Sequence, residues 1–254
     1  AVSFKSDLLK VIRLLKDFRE KNAALVAPSF VGQFGPMVDW SKLKKGLKKL
    51  GFDLVVPVAT GADVVAEEES KELIEKVNNE KNQVMFNSCC PGFNNLIKKH
   101  YPELEDLISE TSTPMLKTAE LIKNKEDVNC IFLGPCLAKK GEAKREGKKL
   151  IDGVLTFEEM TSMLVAADIN LAKIKVDESY KENNNQETLT SPSDLACNFC
   201  RDKGVSEAIK NNIRSDINFK IEAADGLNEC IKKLIKVKNS SSINIDFIEG
   251  MACE

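Results

Sequence analysis

Three short segments place thiols beside turn-forming residues: "NSCCPGF" (87–93), "GPC" (134–136) and "MAC" (251–253). Each follows an apolar run with the look of a strand, so each would present sulfur at a strand's carboxyl end, where parallel α/β sheets bind their ligands. Soft thiolates in a chain with one histidine, His100, point to an iron–sulfur cluster or a zinc ion held by cysteine alone. Neighbouring Cys89 and Cys90 are poorly placed to bond each other, because a disulfide between adjacent residues is strained. They can divide a task, one holding a ligand while the other stays unligated. A single buried cysteine would read as an inert core residue; the same pattern three times favours a shared object. The flanking glycines and prolines let the backbone turn and aim amides at sulfur.

The elements that must position these thiols are legible from periodicity. Runs at 23–29, 53–58, 83–86, 129–133, 151–155 and 243–249 read as strands. Between them, "DWSKLKKGLKKLG", "ADVVAEEESKELIEKV", "TFEEMTSMLVAA" and "DGLNECIKKLIKV" carry apolar residues at helical spacing. The alternation implies an α/β fold with small parallel sheets flanked by helices. Thr156 and Asp225 are expected to cap helices, and the polar segment 170–195 to be an exposed loop. Cys130 and Cys230 are expected to be packing residues, within a strand and a helix.

The chain has 254 residues, enough for one large domain or two small lobes. Its 37 basic and 39 acidic residues leave a formal charge of −2, which gives no reason to expect a nucleic-acid or membrane partner. No apolar run approaches the roughly 18 residues of a membrane span, and no signal peptide is visible. Eight cysteines in this length, without signs of secretion, favour a reducing, cytoplasmic setting. A start at "AVSF" and a stop at "MACE" suggest a fragment of a longer chain.

"NSCCPGF", "GPCLAKKGEA" and "FIEGMACE" resemble, in order, the three signature segments of the iron-only, or [FeFe], hydrogenase catalytic domain. "APS" (27–29), "YPELEDLIS" (101–109), "TSTP" (111–114) and "GVSEAI" (204–209) extend the resemblance over nearly the whole chain. It implies one hydrogenase domain over 1–254, made of two interleaved α/β lobes with four-stranded parallel sheets and a metal site in the cleft between them. It implies an H-cluster, a [4Fe–4S] cubane joined by a cysteine to a di-iron unit with CO, CN⁻ and a bridging dithiolate. Cys90, Cys136 and Cys253 match cubane ligands, and Cys89 matches the unligated thiol that passes protons to the dithiolate. Lys139 matches the lysine that binds a cyanide, and Ala27, Pro28 and Ser29 match the segment lining the di-iron pocket. Glu69, Glu72, Ser109 and Glu142 match a proton relay to the surface. Glu69 and Glu72, three apart on an expected helix, would share a face, although "AEEESKE" on its own reads as a solvated face.

The resemblance further implies an electron partner, either ferredoxin or an adjoining iron–sulfur domain, and an oxygen-sensitive cofactor suited to an anaerobic cytoplasm. Two other functions share the motifs: a hydrogen sensor controlling a signalling partner, and an iron–sulfur assembly protein. Several positions depart from the pattern. The family's last cluster cysteine falls a few residues beyond "MAC", so residues 1–254 are expected to lack an intact H-cluster and to be inactive alone; iron loading against a longer chain tests this. Gly134 stands where catalytic members carry methionine, Phe93 where they carry tryptophan and Met115 where they carry glutamine. Gly134 is expected to leave room beside the di-iron unit, as in the sensory branch. "CNFC" (197–200) replaces a small-residue turn and suggests redox chemistry or half a metal site.

Overall fold

Strands that are apolar along their whole length, instead of alternating, must be covered on both faces, and this is what the chain builds. The computed structural model describes residues 5–79, 84–176, 191–213, 219–240 and 244–253. Residues 1–60 and 118–192 form one unit, and residues 61–117 and 193–254 the other.

In the first unit β1 (Asn22–Val26), β2 (Leu54–Pro57), β4 (Asn129–Leu133) and β5 (Gly153–Leu155) form a parallel sheet in the order β2-β1-β4-β5. Ala23 to Val26 and Cys130 to Leu133 are all buried. Helices α1 (Leu8–Lys16), α2 (Trp40–Leu50), α6 (Ala138–Arg145) and α7 (Phe157–Ala166) belong to this unit. At the sheet's amino end, carboxylates satisfy strand amides: Asp53 accepts from Asn22 N–H at 2.8 Å and Asp152 from Cys130 N–H at 2.9 Å. Thr156 caps α7 in a full capping box with Glu159. Glu159 also takes both its oxygens to the buried Lys140 ammonium, at 2.9 and 2.7 Å, which fastens α6 to α7.

In the second unit β3 (Met85–Phe86), β7 (Phe247–Met251) and β6 (Ile221–Asp225) pair in parallel in the order β3-β7-β6. Four strands were expected; among the described residues there are three, with Ile108 making a single parallel bridge to Phe86. Helix α3 (Ala59–Asn79) passes into this unit, and α5 (Pro114–Lys123) leaves it. Helix α4 (Pro91–His100), the short α8 (Asp194–Cys197), α9 (Gly204–Asn212) and α10 (Leu227–Asn239) complete it. Its core includes Phe86, Phe93, Ile97, Leu234 and Ile248, with Phe86 and Phe93 edge-to-face at 5.6 Å.

The sheets are small, parallel and flanked by helices, as expected. Other expectations need correction. Gly226, with φ +80, is the N-cap of α10, whereas Asp225 closes β6, a strand the sequence reading did not identify. In the segment 170–195, residues 177–190 lie outside the described residues, but Leu171–Lys173 is a 3-10 turn with Leu171 buried. Cys130 and Cys230 are packing residues, fully buried in β4 and α10, and burial pushes both thiols up to about 12.

Candidate functional site

Parallel pairing brings the motifs together two by two. In the first unit β1 and β4 are neighbours with Val26 opposite Leu133, so Ala27–Ser29 and Gly134–Cys136 leave the sheet side by side. Ala27 N–H donates to Leu133 O at 2.8 Å, and Gly134 N–H to Leu155 O at 3.1 Å. Lys139 and Glu142 follow on α6, where they pair at 2.7 Å, with Glu142 at 1% exposure. Cys136 keeps part of its surface open.

Gly134 does not leave room. A Cβ there would meet the Phe132 ring at 2.7 Å and the Ala27 methyl at 3.0 Å. Residues two apart in a strand share a face, and the Phe132 ring folds over Gly134 into the space a side chain would fill. Gly134→Met is therefore expected to destabilise the chain by about 1–3 kcal/mol through overpacking. Phe132→Ala in the same chain should recover part of that loss. Urea unfolding of the two single variants, the double variant and the parent checks this; additive losses would show that the ring and the glycine are not partners.

In the second unit β3 and β7 are neighbours, with Phe86 opposite Ile248, so Cys89–Cys90 and Ala252–Cys253 also leave one sheet at the same end. Cys90 caps α4 with its sulfur, which accepts Phe93 N–H at 3.4 Å. The same sulfur accepts Ala252 N–H at 3.5 Å, from the residue just before Cys253. Gly92 permits this closure, since a Cβ there would approach the Ala252 methyl to 3.1 Å. Amides converging on sulfur are what a metal-bound thiolate accepts. Cys253 itself is exposed.

Two carboxylates, a hydroxyl and a thiol gather within this unit. Glu72 is partly exposed, pairs with Lys76 at 3.1 Å and accepts Ser109 Oγ–H at 2.6 Å. Three residues earlier on α3, Glu69 is fully buried; its Oε1 accepts Ser88 N–H at 2.8 Å, and its Oε2 has no hydrogen-bond partner among the described residues. Burial pushes the Glu69 carboxyl up to about 7, against the pull of the Ser88 amide and hydroxyl and with a small push from Glu72. Cys89 is half-buried, and desolvation first, then the nearby Glu69 and Cys90, raise its thiol well above the ordinary range. A protonated thiol thus stands next to an acid that exchanges protons near neutrality. Glu142 belongs to the first unit and has Lys139 as its charged partner.

Two residues of this region were not singled out from sequence. Asn87 is fully buried; its Nδ2 donates to Cys89 Sγ at 2.9 Å and to Gly250 O at 3.4 Å, and its Oδ1 accepts Gly250 N–H at 2.7 Å. It clamps the ends of β3 and β7 and holds the thiol. Glu249, buried in β7, accepts Ser206 N–H at 2.8 Å and Ser206 Oγ–H at 2.5 Å, capping α9 from a neighbouring strand. An acid in the apolar run "DFIEG" was the available signal for it. Phe93 and Met115 are both fully buried, and the Phe93 ring fills the space over Gly250, where a Cβ would come within 2.4 Å of it.

Thiol motifs leave the carboxyl ends of paired parallel strands, and a buried glutamate lies near one of them. The iron only hydrogenase large subunit, C-terminal domain family matches residues 20–254, and the chain belongs to it. Iron hydrogenase 1 of Clostridium pasteurianum is 26% identical over 98% of this chain and 47% of its own length. The periplasmic [Fe] hydrogenase large subunit of Nitratidesulfovibrio vulgaris is 30% identical over 65% of the chain and 45% of its own. The chain thus spans about half the length of these curated relatives. In fold it is similar to the [FeFe]-hydrogenase HydA1 from Chlamydomonas reinhardtii, with TM-score 0.74 and 20% identity over 98% of the chain and 82% of that structure.

Proposed function

We propose that this chain is the domain of an [FeFe]-hydrogenase that holds the H-cluster and interconverts protons and electrons with hydrogen. The observation that carries the proposal is the Ala252 N–H on Cys90 Sγ, which joins the first and last cysteine motifs at the carboxyl end of one sheet. Cys90, Cys136 and Cys253 would hold the cubane. Lys139 would bind a cyanide, with Ala27, Pro28 and Ser29 lining the di-iron side. When bound, the cluster supplies electrons and an iron site for hydride chemistry. Cys89 holds and delivers the proton, Glu69 reloads it through the Ser88 and Ser109 neighbourhood, and Glu72 exchanges with solvent. The resemblance assigns Glu142, paired with Lys139, to the same relay.

Family membership and hydrogenase relatives support an iron–sulfur electron partner in general terms, and we assign that role to ferredoxin or an adjoining iron–sulfur domain. No helix among the described residues is long and apolar enough to cross a membrane; an anaerobic cytoplasm is the setting we assign. A second function, hydrogen sensing for a signalling partner, rests on the sequence likeness at Gly134, Phe93 and Met115 alone, because the space expected at Gly134 is filled by the Phe132 ring. An assembly role is disfavoured, since neither Lys139 nor Cys89 is needed merely to hold a cubane. Infrared spectra and gas assays of the matured full-length protein, extended past the next cysteine, test all three. CO and CN⁻ bands with rapid hydrogen evolution are expected; bands with slow turnover would support the sensor, and a cluster without bands the assembly role.

A further inference from the structure

We propose that Cys197 and Cys200 form a two-thiol site, separate from the cluster cysteines, that closes reversibly to a disulfide by exchange with small disulfides. The pair sits where α8 ends and a turn begins. Phe199 N–H donates to Ala196 O at 3.2 Å and Arg201 N–H to Asn198 O at 2.9 Å, so the backbone continues as one helical turn. Positions three apart on such a turn have Cα atoms about 5 Å apart in an α-helix and about 6 Å in a 3-10 helix, within the range a disulfide bridges. Both cysteines are exposed, and the Cys200 sulfur leans back to 4.0 Å from the Cys197 carbonyl.

The turn is built to stay in place. Phe199, between the cysteines, is buried at 5% exposure. Gly204 lets α9 press against the turn: a Cβ there would lie 2.0 Å from Asn198 O and 3.1 Å from Phe199 Cα. At the other end Ser193 caps α8 through Ala196 N–H at 3.1 Å and is itself bound to the Asp63 carboxylate by its N–H at 2.9 Å and its hydroxyl at 2.5 Å. An anchored turn brings the thiols together without folding cost, which gives the second sulfur a high effective concentration at the first.

Burial raises both thiols above the ordinary range; at Cys197 Asp194 and Asp63 add to that rise, whereas at Cys200 Arg201 offsets part of it. Cys200 is the attacking thiol. Its thiolate takes one sulfur of RSSR and expels RS⁻, which accepts the proton Cys200 released. Cys197 then gives up its proton and attacks the Cys200 sulfur, expelling the second thiol. The dithiol is oxidised by two electrons and RSSR is reduced to two RSH. With Asp194 and Asp63 acting on Cys197 and Arg201 on Cys200, the surroundings are of mixed sign, and the co-reactant is a small soluble disulfide of either charge.

The test treats the reduced chain with cystamine or oxidised glutathione, then alkylates it and maps its peptides. The expected product is a peptide linked between Cys197 and Cys200, formed with either reagent and reversed by dithiothreitol. Cys197→Ser should stop at a mixed disulfide on Cys200. Separate adducts on the two cysteines in the parent chain, or links from either to another cysteine, would overturn the proposal.

Discussion

Cys89→Ser is expected to lower turnover of the matured full-length protein by at least about 10²-fold while leaving its iron in place; Cys90→Ser, one residue on, is expected to lose the iron. The neighbours differ by where their sulfurs point. Cys90 Sγ collects the amides of Phe93 and Ala252, which suits a permanently charged, metal-bound sulfur. Cys89 sits among groups that oppose its charge: burial, Glu69 and Cys90. It therefore keeps its proton until something takes it. A serine hydroxyl in the same place, also hydrogen-bonded by Asn87, holds a proton too tightly to pass on at neutral pH. General acid–base contributions of 10²–10⁴ set the scale of the loss. Iron analysis and hydrogen evolution of the two variants check this. Iron loss in Cys89→Ser with retention in Cys90→Ser would reverse the two roles.

Glu69→Gln has two expected effects, on turnover and on the pH profile of stability. The Glu69 carboxyl ionises near 7 in the folded chain, whereas its ordinary value is 4.5. Between those values the folded chain holds a proton that the unfolded chain has released. Stability therefore falls as pH rises through that window, by about 3 kcal/mol in all, and levels off above it. Glutamine cannot ionise but still accepts the Ser88 amide. In Glu69→Gln that part of the pH dependence disappears, as urea unfolding at about pH 5 and about pH 8 will show. Turnover of the matured variant should fall by about 10²- to 10⁴-fold because the relay to Cys89 is cut. An unchanged pH profile would mean that the carboxyl is not buried as described; an unchanged rate would remove it from the relay.

Sequence carried the strands whose whole length is apolar, because "AALV" and "CIFL" admit no arrangement other than two-sided burial. It missed β6, "IEAAD", which carries Glu222 and Asp225 and is only half covered, so neither alternation nor a continuous apolar run marks it. The thiol motifs were legible because chemistry and turn residues coincide there. Asn87 was hidden because its partner Gly250 is 163 positions away, and Glu249 because it caps a helix whose own preceding residue, Lys203, makes no side-chain cap. Gly134 shows the opposite failure. The missing side chain suggested space, but the ring two residues back occupies it, and volume exchange between neighbours on one face is invisible until the strand is built.

The proposed cluster requires three thiols from separate motifs to serve one metal centre. Anaerobic reconstitution with iron, sulfide and excess thiol as a surrogate fourth ligand, followed by iron analysis and low-temperature magnetic resonance of the reduced chain, tests this directly. The parent chain should take up about four irons. Serine at position 90, 136 or 253 should each abolish most of that uptake, with serine at position 130 or 197 leaving it intact. Full iron uptake after replacing Cys136, the one member of the set contributed by the first unit, would contradict the account.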